Sequence, residues 1–167
     1  YTAAGLGGLG KPEGYVQRQV TGWRQRYAQA ATHDVAAMDA VGEWLSSRLP
    51  PLGAQASPPA RAALIHNDFK LDNVVLNPRD LTQVTAVLDW EMATIGDPLL
   101  DLGVTLAYWI QEGDPPVLQR IGLGRLPGAL SRSEAAAHYA QRRGLPSSGF
   151  DEQVVYAYVL GLYKVAV

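Results

Sequence analysis

The sequence predicts a mainly helical α+β domain carrying one small β-hairpin. Apolar residues recur at helical spacing in the first and last thirds of the chain, while the middle shifts to short apolar runs divided by turn residues. With 47% apolar and 18% charged residues over 167 positions, there is material for one packed core and too little charge for a disordered tail.

Residues 1–11 are small and glycine-rich and read as a linker. Pro12 suits the first turn of a helix, and Val16, Val20, Trp23 and Tyr27 then fall on one face of it. Asp34 is placed to cap a second helix whose inner face holds Val35, Met38, Val41, Trp44 and Leu45. Pro50-Pro51 stops that helix, and a loop runs on to Pro59. Residues 62–65 form a short apolar run that reads as a strand entering a loop. Val74-Val75-Leu76 and Val84 to Leu88 are separated by Asn77-Pro78-Arg79-Asp80, which predicts a hairpin. Beyond Gly96-Asp97-Pro98 a helix apolar on more than one face is expected to be deeply buried, ending by Gly113-Asp114-Pro115-Pro116. Ser131 and Glu134 have capping-box spacing for a helix that Gly144 terminates, and residues 151–167 form a last apolar helix. The chain lacks an initiator Met and ends in that helix without a stop signal, so it is expected to be a piece of a longer protein.

Composition removes several function classes. Lys plus Arg number 14 against 16 Asp plus Glu, a net charge of −2 that excludes a generally basic nucleic-acid binder. The absence of cysteine excludes disulfides, thiolate metal sites and cysteine nucleophiles. No apolar run approaches the roughly 20 residues of a membrane span, and no secretory signal is visible, so no membrane partner and a cytoplasmic location are expected. The Gly5 to Gly10 stretch fits G-x-G-x-x-G, but no strand precedes it, and Pro12 stands where a phosphate loop has Ser or Thr. His33 and His138 lack metal-ligand spacing.

The informative stretch is His66-Asn67-Asp68-Phe69-Lys70-Leu71-Asp72-Asn73, followed by the hairpin and by Leu88-Asp89-Trp90-Glu91. Phosphoryl transfer to a hydroxyl needs a carboxylate to orient the acceptor and take its proton, which suits Asp68. It needs oxygen donors for magnesium, which suits Asn73 and Asp89. It gains from a cation near the γ-phosphate, which suits Lys70. Glu91 fits a further metal-coordinating carboxylate or a solvated turn residue equally well. Asp97 reads first as a helix N-cap, with a metal-supporting role behind it. Asp101, inside an apolar helix, needs a partner, and the backbone amides of the catalytic loop are the expected one.

On these residues, together with Gly96-Asp97-Pro98-Leu99-Leu100-Asp101-Leu102, the sequence resembles the C-terminal lobe of the aminoglycoside phosphotransferase and choline kinase-like family, which has the protein-kinase-like fold. The string from Asp89 to Asp101 is similar to the branch associated with acyl-CoA dehydrogenases. The resemblance implies that Asp68 is the base, that Asn73 and Asp89 hold Mg2+, that His66 shapes the loop, and that Asp101 anchors it. It implies ATP as co-substrate and a small-molecule hydroxyl as acceptor. It also implies a nucleotide-binding N-terminal lobe that residues 12–167 lack, since Lys11, Lys70 and Lys164 are the chain's lysines and none sits in a strand of that kind. The fragment is therefore expected to be inactive alone and to form a homodimer over the face left by the missing lobe. Aminoglycosides are poorly matched, because residues 105–150 offer only Glu112, Asp114 and Glu134 as acids. Two other classes remain: a non-catalytic pseudokinase-type scaffold, and a metal-dependent hydrolase using His66, Asp68 and Asp89.

Overall fold

The computed structural model describes residues 1–49, 62–120, 127–145 and 150–167. Five helices, α1 (Tyr15–Ala30), α2 (Ala36–Ser47), α3 (Pro98–Tyr108), α4 (Arg132–Arg143) and α5 (Phe150–Ala166), surround two small antiparallel pairs. The strands are β1 (Ala63–Ile65), β2 (Val74–Asn77), β3 (Asp80–Val87) and β4 (Thr94–Gly96). The helix-rich α+β class expected from the sequence is the one observed. The Pro50–Pro59 loop lies outside the described residues.

The core sits between α3 and α5, with α1, α2 and β1 packed around it; Leu45, Leu106 and Leu160 are fully buried within it. Two glycines set the α3–α5 approach. A Cβ on Gly103 would lie 2.2 Å from the Ala157 carbonyl oxygen, and one on Gly161 would lie 2.4 Å from the Gly103 carbonyl oxygen. No side chain fits there, so the helix backbones meet directly. Tyr156 on α5 stacks on Trp44 of α2 at 5.7 Å and donates its hydroxyl to the Leu45 carbonyl at 2.8 Å, which fixes α2.

The caps follow the sequence in the second half of the chain. Asp97 accepts from Leu99 N–H at 2.9 Å, with Pro98 at the first helical position of α3. Ser131 and Glu134 close a full capping box on α4, and Gly144 ends that helix in the left-handed region at φ 61°. The first half differs in three places. Val35 rather than Asp34 is the N-cap of α2, and it makes no side-chain cap bond. Pro12 precedes α1 by three residues, and Gly14, at φ 64°, opens the helix. Residues 2–9, read from the sequence as a linker, form two 3-10 turns (Thr2–Ala4 and Leu6–Leu9), docked by the Thr94 hydroxyl on the Leu9 carbonyl at 3.0 Å.

The hairpin β2–β3 forms on the expected Asn77–Asp80 turn. Its register skips one residue between Val75 and Leu76, and Thr85 bonds across to the Val75 carbonyl at 3.0 Å. The pairing of β1 with β4 (Leu64 opposite Ile95) was not anticipated, because three residues are too short to show a period. It brings the two loops of the site side by side.

Candidate active site

The site begins where β1 ends. Asp101, in the first turn of α3, accepts the His66 backbone N–H at 2.8 Å and the Asn67 N–H at 2.7 Å. One carboxylate thus satisfies two successive amides of a loop that has no ladder partner there. Asn67 takes φ 68°, a left-handed conformation that Asn tolerates. Its side chain is a buried tie: Oδ1 accepts from the Tyr15 hydroxyl at 2.8 Å, and Nδ2 donates to the Met92 carbonyl at 2.9 Å. The loop is therefore fastened to α1, to α3 and to the turn before β4. Burial pushes the Tyr15 phenol up to about 12.

His66 is buried and held at both ring nitrogens. Nε2 lies 2.7 Å from the Leu88 carbonyl, and Nδ1 accepts the Asp68 N–H at 3.3 Å, so the tautomer with its proton on Nε2 satisfies both. The ring is also flanked by Trp90 at 4.8 Å and Phe69 at 6.0 Å. This histidine shapes the loop and has no nitrogen left for a reaction, which removes the footing of the hydrolase reading.

Asp68 and Asn73 are brought together. Asn73 Nδ2 donates to the Asp68 carbonyl at 2.8 Å and to its carboxylate Oδ2 at 3.2 Å. Asn73 is buried, so this fixes its amide orientation, and no protein donor among the described residues reaches its Oδ1. Lys70 pairs with the same Asp68 Oδ2 at 2.7 Å, while its ammonium lies 5.0 Å from the Tyr108 ring centre. The hydrogen bond to Asp68 raises the Lys70 pKa. Asp68 Oδ1 receives no hydrogen bond from the described residues.

The third group arrives on the end of β3. Leu88 donates its N–H to the Asn73 carbonyl at 2.8 Å while its own carbonyl meets His66. The next residue, Asp89, turns into the left-handed region at φ 64° and leaves its side chain exposed with no cap bond. Asn67 and Asp89 are the two non-glycine residues with positive φ among the described ones, and both lie in this site. Non-glycine residues in that region carry backbone strain, which tends to collect at functional sites. Glu91 is exposed in the 3-10 turn Trp90–Met92, and Asp97 serves as the α3 cap.

The donor set suits a hard divalent ion, with the Asn73 amide oxygen and the Asp89 carboxylate on adjoining backbone segments. No group of three or more His, Asp or Glu able to hold a metal occurs among the described residues. An ion held by these two side chains would thus need phosphate oxygens and water to complete its shell, which is how magnesium binds nucleotides.

The sequence alone did not reveal Tyr15, Asn67 or the β1–β4 pairing. The signal for Asn67 was its residue type, since Asn between two fixed loop positions is a candidate for positive φ.

The chain belongs to the phosphotransferase enzyme family, whose pattern it matches over residues 1–145. Its fold is that of a crystal structure provisionally assigned as an aminoglycoside phosphotransferase from Ralstonia eutropha JMP134, with a TM-score of 0.75 and 30% identity, covering 99% of this chain and 50% of that one. It is similar to acyl-CoA dehydrogenase family member 11 of Gallus gallus (35% identical over 147 residues, 86% of this chain) and of Homo sapiens (37% over 142 residues, 85% of this chain). It is also similar to family member 10 of Mus musculus (38% over 114 residues, 68% of this chain). The chain spans 18%, 17% and 10% of those three relatives.

Proposed function

We propose that residues 12–167 are the C-terminal, acceptor-side lobe of an ATP- and magnesium-dependent phosphotransferase that acts on a hydroxyl of a small molecule. ATP supplies the phosphoryl group when bound, and Mg2+ would offset the charge on its phosphates. Asp68 takes the hydroxyl proton on its carboxylate as the acceptor oxygen bonds to phosphorus and the bond to the nucleotide breaks. Lys70, two residues on, keeps positive charge beside the transferring group. Asn73 and Asp89 hold the ion through oxygen. His66, Asn67 and Asp101 position the loop. A cytoplasmic location, where ATP and Mg2+ are supplied, fits this reading. No helix among the described residues is long and apolar enough to cross a membrane.

The observation that carries the reading is the orientation of Asn73. Its amide nitrogen is committed to Asp68, which leaves its oxygen for an ion, and Leu88, bonded to the Asn73 backbone carbonyl, directly precedes Asp89. The test uses the longer polypeptide that joins this lobe to its nucleotide-binding half. Magnesium-dependent ATP turnover there should fall at least about a hundredfold in Asp68→Ala. Unchanged turnover would remove Asp68 from the chemistry.

A further inference from the structure

A second cavity of about 320 Å³ opens beside the catalytic loop, between α1 and the C-terminal end of α5. Lys11, Arg18, Arg26 and Lys164 line it together with Trp23 and Asn67, and no Asp or Glu lines it among the described residues. Arg18 donates both terminal nitrogens to the carbonyls of Glu13 and Lys11, which leaves Lys11, Arg26 and Lys164 as the other cations of the lining. The Arg26 guanidinium lies 4.7 Å and the Lys164 ammonium 5.4 Å from the centre of the same Trp23 ring. Two positive groups beside one aromatic ring repel each other, and an anion reaching both would relieve that repulsion.

Lys164 is the less exposed of the two and makes no hydrogen bond or ion pair among the described residues. Burial pushes its ammonium down, and the charge of Arg26 adds to this, while the carboxylates of Asp101 and Asp68 act against it through space. A half-buried ammonium resting beside an aromatic ring keeps hydrogen-bond donors that an anionic ligand would accept.

We propose that Lys164 and Arg26, across Trp23, bind an anionic group, a carboxylate or a phosphate, on the hydroxyl-bearing acceptor. The inference rests on the phosphotransferase reading and extends it to the substrate class. The acceptor's anion, rather than that of the nucleotide, is favoured because neither Asn73 nor Asp89 lines this cavity, whereas Asn67, which precedes Asp68, does. An acceptor bound there through its acidic end reaches the catalytic loop with its hydroxyl. Polycationic acceptors are excluded by the same charges.

The test is isothermal titration of the 167-residue chain with two hydroxy-anions, 3-hydroxybutyrate and glycerol 3-phosphate, against choline and 1,3-butanediol. At least one anion should bind while the cation and the neutral diol do not, and the stronger of the two anions tells carboxylate from phosphate. Lys164→Met and, independently, Arg26→Gln should each weaken anion binding about tenfold or more. Arg26 is exposed, so its variant keeps the test open if Lys164→Met fails to fold. Equal binding of all four compounds, binding by none, or anion affinity unchanged in both cavity variants overturns the inference. Loss of anion binding alongside Asp68-dependent turnover in the longer protein would overturn this inference alone. Anion binding that persists while Asp68→Ala leaves turnover intact would sink the phosphotransferase reading instead.

Discussion

Replacing Asp101 by Ala removes the acceptor for two backbone N–H groups at once. The bonds from His66 and Asn67 are 2.8 and 2.7 Å long, both to a charged oxygen, and the site is partly buried. A hydrogen bond to a charged group contributes about 1.5–3 kcal/mol, and Ala leaves both amides without a partner. The expected loss is therefore about 3–6 kcal/mol, a large fraction of the roughly 5–15 kcal/mol that holds a domain folded. With a urea slope of about 2 kcal/mol/M, the unfolding midpoint should fall by about 1.5 M or more. Asp101→Asn keeps one oxygen but turns an NH2 toward the second amide, and it should lie between. Asp97→Ala is the control: it deletes an ordinary N-cap on the same helix and should cost only about 1 kcal/mol. The assay is urea unfolding followed by far-ultraviolet circular dichroism. If Asp101→Ala costs no more than Asp97→Ala, the carboxylate does not anchor the loop.

Tyr15 and Tyr156 are each raised to about 12 by burial, so the folded state disfavours their ionisation. The stability this confers is fully present below the unfolded tyrosine value of about 10 and is lost as pH climbs from there to about 12. Absorbance at the phenolate band should show part of the eight-tyrosine signal delayed until near unfolding, and Tyr15→Phe should reduce that delayed part; a single titration near pH 10 would contradict it. Gly103→Ala forces a methyl onto the Ala157 carbonyl and should lower the melting temperature by several degrees; a neutral effect would mean that α3 and α5 part easily. The hairpin and the turn after it expose Leu81, Val84, Leu88 and Trp90, with Leu81 70% accessible. We propose that this face is covered in the longer protein and pairs with a second copy in the isolated chain; light scattering should report a dimer that Leu81→Glu with Val84→Glu dissolves, and a wild-type monomer would contradict it.

Much of the site was legible because its letters are local. Asp68, Lys70 and Asn73 lie within six residues, and their mutual bonds are those of one tight loop. Asp101 was legible for another reason: an acid among the apolar residues of α3 must find donors, and the nearest unladdered amides are those of His66 and Asn67. What escaped sequence reasoning was long-range. The Tyr15–Asn67 bond spans 52 residues, and neither residue type announces the other. The Gly103–Gly161 contact needs two helices already crossed before either glycine has a purpose. The cationic cavity escaped because Arg26 and Lys164 belong to opposite ends of the chain and meet only over Trp23. The Asp34 cap failed because Val35 in extended conformation takes the position one residue later.

The proposed phosphotransfer requires a single metal position at Asn73 and Asp89 beside Asp68. Adding Mn2+ with ATP to the 15N-labelled longer polypeptide that includes the nucleotide-binding lobe reads that position directly, through paramagnetic broadening of nearby amides. Broadening should centre on the Asn73 side-chain amide and the backbone of residues 68–73 and 88–91, and should vanish in Asp89→Asn. Broadening centred elsewhere, for example on Asp151 and Glu152 at the start of α5, would contradict the site.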